Sequence, residues 1–263
     1  VLDGRIVSLA LTAAGTLGDI GKAGLDISSP GHVAFTADGA ARNVLDPGRM
    51  EASARFDGDF RDLAIREALL PDSALRRRIA IPDRIWLHGT AGADKGAFSA
   101  ASTLSADGGE IALQGRLDTR SEAYGIELRC DSFPLNRFLP ADSLGLLDLA
   151  LQAGGSGFDP LRAQTRGNIR LQVDRAEFRG RDFGGVELNA NLEGGQLSGR
   201  LSDRDEALRL LLLVSGTLTE RKQEVRLTGN VFDFDLAELG ISPQKIGGSF
   251  ALESWASASD AGS

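Results

Sequence analysis

The chain has 263 residues, of which 42% are hydrophobic and 25% charged, a composition that excludes a protein disordered throughout. The formal net charge is -8 and no basic block is present to neutralise phosphates, so we expect no nucleic-acid partner. Two histidines and one cysteine are too few for a disulfide framework or a histidine and cysteine zinc site.

The start of the chain and the length of its apolar runs bear on leader segments and membrane spans. The chain opens at Val1 with no Met, basic stretch or apolar leader, and we therefore expect an internal piece of a longer protein. Its longest apolar run is Leu210–Val214, far below the ~20 residues of a membrane helix. Nothing in this sequence is expected to span a bilayer.

The dominant pattern along the chain is apolar residues at every second position, which predicts strands with one apolar face. The segments with this period are Val7–Leu11, Ile85–Leu87, Ile111–Leu113, Ile126–Leu128, Leu147–Leu151, Ile169–Val173, Val186–Leu192, Leu208–Val214, Val225–Leu227 and Phe250–Leu252. From Val186 onward the strand centres follow every dozen or so residues, which is typical of an antiparallel meander. Leu208–Leu218 is apolar on both faces, which predicts a covered or partner-contacting second face.

Glycine pairs punctuate these strands and predict tight turns. The predicted turns lie at Asp107–Gly109, Gly154–Gly157, Gly184–Gly185, Glu193–Gly195 and Gly247–Gly248. A further segment, Gly89–Gly96, resembles a phosphate loop superficially, but no Ser or Thr follows Lys95, and a hairpin is the favoured interpretation.

Helical signals are few and short. Three- and four-residue spacing of apolar residues predicts an amphipathic helix over Phe60–Leu70, ending before Pro71. Two shorter helices are predicted over Pro134–Leu139 and Asp235–Leu239. Residues 256–263 are small and polar and are expected to form a flexible tail, leaving 1–255 as a single continuous segment.

The residues usually responsible for catalysis are scarce. Nothing in the sequence brings Cys130 to His88, and a lone cysteine on a strand is most often packing, so we do not predict a nucleophile and base. His32 follows a turn signal and is assigned to a loop. Few Trp and Tyr residues are present to stack sugars, and a glycosidase would need carboxylates gathered in one cleft. We therefore predict no enzyme, cofactor or metal site.

Three segments carry a family resemblance. They are 124–139 (YGIELRCDSFPLNRFL), 225–239 (VRLTGNVFDFDLAEL) and 247–252 (GGSFAL). Their shared pattern is a strand that ends in Phe or Leu, then a short helix, then a strand that opens with Gly. This pattern resembles the TamB/AsmA-like family of Gram-negative envelope proteins. The resemblance covers about residues 49–256.

The resemblance implies an all-β fold, an elongated antiparallel meander curled into a U-shaped, taco-like sheet with an apolar groove and a few short helices. It implies a periplasmic protein anchored in the inner membrane, with phospholipid as its cargo and an outer-membrane assembly barrel as a partner through other regions. Such proteins are associated with lipid movement and outer-membrane biogenesis.

The residues themselves lead to a compatible hypothesis. A long meander with one apolar face must cover that face, and an incompletely closed sheet would leave a trough in which acyl chains gain roughly 0.8 kcal/mol per buried CH₂. The predicted groove residues are Ile111, Leu113, Ile126, Leu128, Leu149, Leu151, Ile169, Leu171, Val173, Val186, Leu188, Leu192, Leu197, Leu201, Leu210, Leu212, Val225 and Leu227. The alternative is a structural or protein-binding spacer in which the same residues fill a closed core.

Overall fold

The computed structural model describes residues 6–16, 18–61, 79–80, 82–140 and 143–259. The predicted all-β class is confirmed, because these residues form antiparallel strands with a single helical turn. The strands are β1 (Ser8–Gly15), β2 (Asp19–Ser29), β3 (Val33–Arg42), β4 (Glu51–Phe60), β5 (Ile85–Asp94), β6 (Ala97–Ala106), β7 (Gly109–Asp118), β8 (Ala123–Pro134), β9 (Leu144–Ser156), β10 (Arg166–Phe178), β11 (Arg181–Phe183), β12 (Val186–Glu193), β13 (Gln196–Arg204), β14 (Leu208–Leu218), β15 (Lys222–Asp235) and β16 (Gly247–Ser259).

The strands pair in chain order, which makes the sheet a meander. The order runs from β1 to β16, with the short β11 pairing only with β10. β1 and β16 are the two ends of this order, so the sheet is open. The last strand reaches Ser259, with Ala256 opposite Val225, and therefore includes the first residues of the segment expected to be a tail.

Tight two-residue turns explain why neighbouring strands can follow one another directly. Lys95–Gly96, Asp107–Gly108 and Gly194–Gly195 each place two successive residues at positive φ, as the turns that match strand twist require. The hairpin interpretation of the Gly89–Gly96 segment is thereby confirmed. Arg179–Gly180 forms a fourth turn of this kind, which the sequence analysis missed.

Two predicted glycine turns differ from the structure: of 154–157 only Gly157, which follows β9, adopts a positive φ of 82°, and 247–248 does not turn. Gly154 and Gly155 lie inside β9, and a Cβ on Gly155 would stand 2.1 Å from the Arg166 carbonyl oxygen and 2.9 Å from Tyr124 Oη. Glycine is therefore required there because a neighbouring strand and a side chain approach closely, not because the chain turns. Gly247 and Gly248 likewise open β16 instead of forming a turn.

The helix predictions have three different outcomes. Helix α1 (Leu135–Phe138) confirms the predicted helical turn after Pro134, and its Phe138 ring stacks 5.0 Å from the buried ring of Phe133. Asp235–Leu239 is a turn closed by the Leu239 N–H donating to the Asp235 carbonyl, because β15 continues through Asp235. Most of the predicted helix 60–70 lies outside the described residues, and Phe60 itself ends β4.

The described residues divide into two compact units. Unit 1 lies within Val1–Arg120 and Leu128–Leu147, and unit 2 within Ser121–Glu127 and Asp148–Ser263. Among the described residues only Ala106, Cys130, Phe133, Ala207 and Val231 are buried hydrophobic residues. The apolar residues thus lie on half-covered faces and not in a conventional core.

Candidate functional site

Strand register places the apolar residues of unit 2 on one side of its sheet. Leu188 lies directly opposite Leu171 on one neighbouring strand and Leu201 on the other. Directly opposed residues point to the same side, and side chains alternate along each strand. We call the following set the unit 2 apolar face: Ile169, Leu171, Val173, Val186, Leu188, Ala190, Leu192, Leu197, Gly199, Leu201, Leu210, Leu212, Val214, Gly216, Val225, Leu227, Gly229, Val231, Phe250 and Leu252.

Large side chains lean across glycines on this face. A Cβ on Gly229 would lie 2.3 Å from Leu212 Cδ2, and one on Gly199 would lie 2.6 Å from Val214 Cγ1. Most members of the face are half-buried, whereas Ile169 at 40% and Phe250 at 52% are exposed. Contacts within the face therefore cover part of its surface and leave the rest open to a ligand.

The opposite side of unit 2 is mostly polar. Arg170 and Asn189, for example, face each other across β10 and β12 and share a hydrogen bond of 3.2 Å. Apolar exceptions on this side include Leu211 and Leu213 of β14 and Trp255 of β16, which is 74% exposed. This confirms that the segment around β14 is apolar on both faces.

Unit 1 has the same two-sided pattern. Phe35 of β3 lies opposite Gly58 of β4. Leu87 of β5 lies between Gly58 on one neighbouring strand and Leu104 of β6 on the other. We call the following set the unit 1 apolar face: Leu9, Leu11, Ala13, Ala23, Leu25, Ile27, Val33, Phe35, Ala37, Gly39, Ala41, Ala52, Ala54, Phe56, Gly58, Phe60, Ile85, Leu87, Gly89, Ala91, Ala93, Phe98, Ala100, Leu104, Ala106, Ile111, Leu113, Gly115 and Leu117.

One row of the unit 1 apolar face contains only Ala and Gly. Successive strands place these residues opposite one another in the order Ala13, Ala23, Gly39, Ala54, Ala91, Ala100 and Gly115. Seven strands at the usual spacing make this row about 29 Å long. Large residues stand beside it, and the Phe56 ring lies over Gly89, whose added Cβ would be 2.5 Å from Phe56 Cζ. The row consequently forms a shallow strip between the larger apolar side chains of this face.

The structure places every predicted groove residue on a strand. The twelve from Ile169 to Leu227 all lie on the unit 2 apolar face, and Ile111 and Leu113 lie together on the unit 1 apolar face. Ile126 and Leu128 are two residues apart on β8, as are Leu149 and Leu151 on β9, so each pair shares one side of its strand. The sequence analysis missed most of the unit 1 apolar face, because Ala and Gly occupy many of its positions.

A single carboxylate interrupts the unit 2 apolar face. Asp203 follows Leu201 by two residues on β13 and lies opposite Leu210, so it points to the apolar side. It is half-buried, and its Oδ1 accepts a hydrogen bond of 2.9 Å from the Asp205 backbone N–H. Burial away from water, and then the neighbouring Asp205 charge, raise the pKa of the Asp203 carboxyl above its ordinary value despite the backbone hydrogen bonds.

Carboxylates do gather at one cavity of unit 2, as an enzyme would require. The cavity, about 860 Å³, is lined by Asp182, Asp205, Glu206, Asp233, Asp235 and Glu238, with Arg181 and Lys245 among them. Asp205 accepts the Ala207 N–H at 2.8 Å and Asp235 the Ala237 N–H at 2.9 Å. Arg181 and Glu238 form an ion pair. These partners identify several of the carboxylates as groups that hold the surrounding turns.

The other residues considered for chemistry lie apart. Cys130 is buried on β8 and His88 is exposed on β5, two intervening strands away, which is about 14 Å. His32 lies in the turn after β2, as predicted, where its N–H donates to the Ser29 carbonyl. Within the described residues, no three His, Cys, Asp or Glu side chains are placed to hold a metal ion.

No helix in the described part of the chain is both long and apolar enough to cross a membrane. The sequence and fold were also compared with known proteins. No protein-family model, curated protein or solved structure matches the chain.

Proposed function

We propose that this chain is a non-enzymatic lipid conduit, in which the apolar faces hold the acyl chains of phospholipids. One observation carries the proposal: strand after strand presents apolar side chains to the same side, and those side chains remain half-exposed. Soluble proteins rarely leave contiguous apolar surfaces of this extent without a ligand or partner.

The proposed ligand follows from the nature of the surface. An acyl chain needs apolar contact without directional bonds, and each face offers Leu, Val, Ile, Ala and Phe with few polar groups. The low Ala and Gly row of the unit 1 apolar face offers space beside larger side chains such as Phe56. No catalytic group is needed for this role, since burial of CH₂ groups supplies the binding free energy.

The proposal adds one element to the observed open sheet, namely a curl that turns the apolar side into a groove. Half-burial of the apolar side and exposure of the polar side favour such a curl within each unit. The resemblance to the TamB/AsmA-like family supports a periplasmic location, an inner-membrane anchor and a link to outer-membrane biogenesis for the whole protein. These assignments are part of the same proposal.

Native mass spectrometry of the purified chain, with organic extraction and lipid identification on the same sample, tests the proposal. We expect adducts with phospholipid masses, and phospholipid in the extract. Phospholipid vesicles are then added to delipidated protein, and uptake is expected. A clean protein mass together with no uptake would overturn the conduit and favour the structural spacer.

A further inference from the structure

The lipid that the unit 2 apolar face would prefer is indicated by Asp203. The residues that make up this face are uncharged, whereas Asp203 follows Leu201 by two residues on β13 and brings a carboxylate to the same side. Leu210 of β14 lies opposite Asp203, and Asp205 of its own loop brings both a backbone N–H and a second carboxylate close to it. Neither neighbour is a cation.

A half-buried carboxylate among apolar side chains is costly unless a cation compensates it. In the described part of the chain no Lys, Arg or His forms an ion pair with Asp203, and the neighbouring Asp205 adds charge of the same sign. Asp205 is itself held by the N–H groups of Gly184 at 3.3 Å and Ala207 at 2.8 Å. Arg181 and Lys245 line the cavity that Asp205 borders, but they pair with Glu238 and Asp235, and Arg175 on the same side of β10 pairs with Asp182. Within the described residues Asp203 is therefore left without a direct counter-charge.

We propose that Asp203 selects lipids whose headgroup carries an ammonium, and that it disfavours headgroups with a net negative charge. This inference rests on the proposed function, because the acyl chain must first lie on the unit 2 apolar face. The ammonium supplies the counter-charge that the protein lacks at Asp203. Asp203 is thus a specificity-determining residue for the bound lipid, while the apolar side chains provide the affinity.

The test is a competition between two lipids that differ only in the headgroup. The full chain is incubated with vesicles containing equal amounts of dioleoyl phosphatidylethanolamine and dioleoyl phosphatidylglycerol, and the bound lipids are extracted and quantified. We expect the ethanolamine lipid to be enriched about two- to fivefold, which is the range for a partly exposed ion pair. In Asp203→Asn the ratio should return to that of the vesicles, since Asn keeps the acceptor for the Asp205 N–H.

Asp174→Asn is the matched control. Asp174 lies on the polar side of β10, where it accepts a hydrogen bond of 2.7 Å from Gln172, and its removal should leave the ratio unchanged. Equal binding of both lipids to the unaltered chain, or an unchanged preference in Asp203→Asn, would overturn the inference while the conduit survives. Failure to bind either lipid would overturn both.

Acidification provides a second measurement. The preference should fall as the Asp203 carboxyl is protonated, and because burial raises its pKa, the fall should begin at a higher pH than for an ordinary aspartate. A preference that is independent of pH in the unaltered chain would contradict the role of Asp203.

Discussion

Replacing two leucines on the unit 2 apolar face by aspartate is the sharpest test of which side holds lipid. Leu188 lies on β12 and Leu227 on β15, three strand spacings away and two residues along the strand, about 16 Å apart. An acyl chain of about 16 carbons with half its surface covered gains roughly 0.4 kcal/mol per CH₂, or about 6 kcal/mol. This value is the gain that the substitutions must remove.

Each aspartate removes contact with about three CH₂ groups, roughly 1 kcal/mol, and leaves a carboxylate whose desolvation costs about 2 kcal/mol. One substitution should therefore weaken binding by about 3 kcal/mol, which is about a hundredfold. The sites are far enough apart for the two effects to add, so Leu188→Asp with Leu227→Asp should abolish binding.

Lipid carried by each variant is measured by native mass spectrometry, and folding is checked by circular dichroism. The control is Asn189→Asp with Thr228→Asp, which adds two charges to the opposite side of the same strands. If the first double variant does not fold, Leu227→Asp alone is compared with Thr228→Asp. Equal lipid content in a folded variant and its control would refute the assignment of the apolar side.

Three further predictions concern the fold. Gly155→Ala should cost about 3 kcal/mol of unfolding free energy, measured in urea, because the added Cβ would clash with backbone atoms. Gly167→Ala is the control and should be near neutral, since the nearest atom to its added Cβ is 3.5 Å away. Equal costs for the two variants would contradict the close approach at Gly155. Phe133→Ala should cost about 3–5 kcal/mol in the same assay, since Phe133 is 3% exposed, and a cost below 1 kcal/mol would show that it is not packed. The hydrogen bond from Arg61 lowers the pKa of Asp59, so Asp59 stabilises the fold above its ordinary pKa and loses this effect as the pH falls through its pKa in the folded protein. Arg61→Ala should therefore raise the titration midpoint of Asp59 measured by NMR. An unchanged midpoint would contradict the pairing.

The strands that could be predicted from the sequence are those with large residues at alternate positions. Ile169, Leu171 and Val173 of β10 illustrate this, because the same period that identifies the strand also identifies its buried side. β6 was missed because its apolar side mixes Phe98 and Leu104 with Ala and Ser, while its other side mixes Ala with Ser and Thr, which leaves little hydrophobic contrast. Alternation can show a face only where its two sides differ in hydrophobicity.

Glycine was the main source of error because it serves two purposes in this sheet. Gly194 and Gly195 adopt positive φ in a turn, whereas Gly155 lies in a strand where another backbone comes close. The two uses cannot be distinguished without knowing the neighbouring strand. For the same reason Asp203 could not be singled out, since its position opposite Leu210 depends on register.

The chain-ordered pairing also determines how such a sheet can vary in length. Apart from β11, each strand pairs with its immediate neighbours in that order, so local contacts carry stability much as they do in repeat proteins. Insertion or removal of a complete hairpin preserves the alternating direction of the remaining strands and the side on which their apolar residues lie. Loss of one strand would instead bring two parallel strands together, which a two-residue turn cannot connect. The hairpin is therefore the unit by which this architecture can be lengthened or shortened.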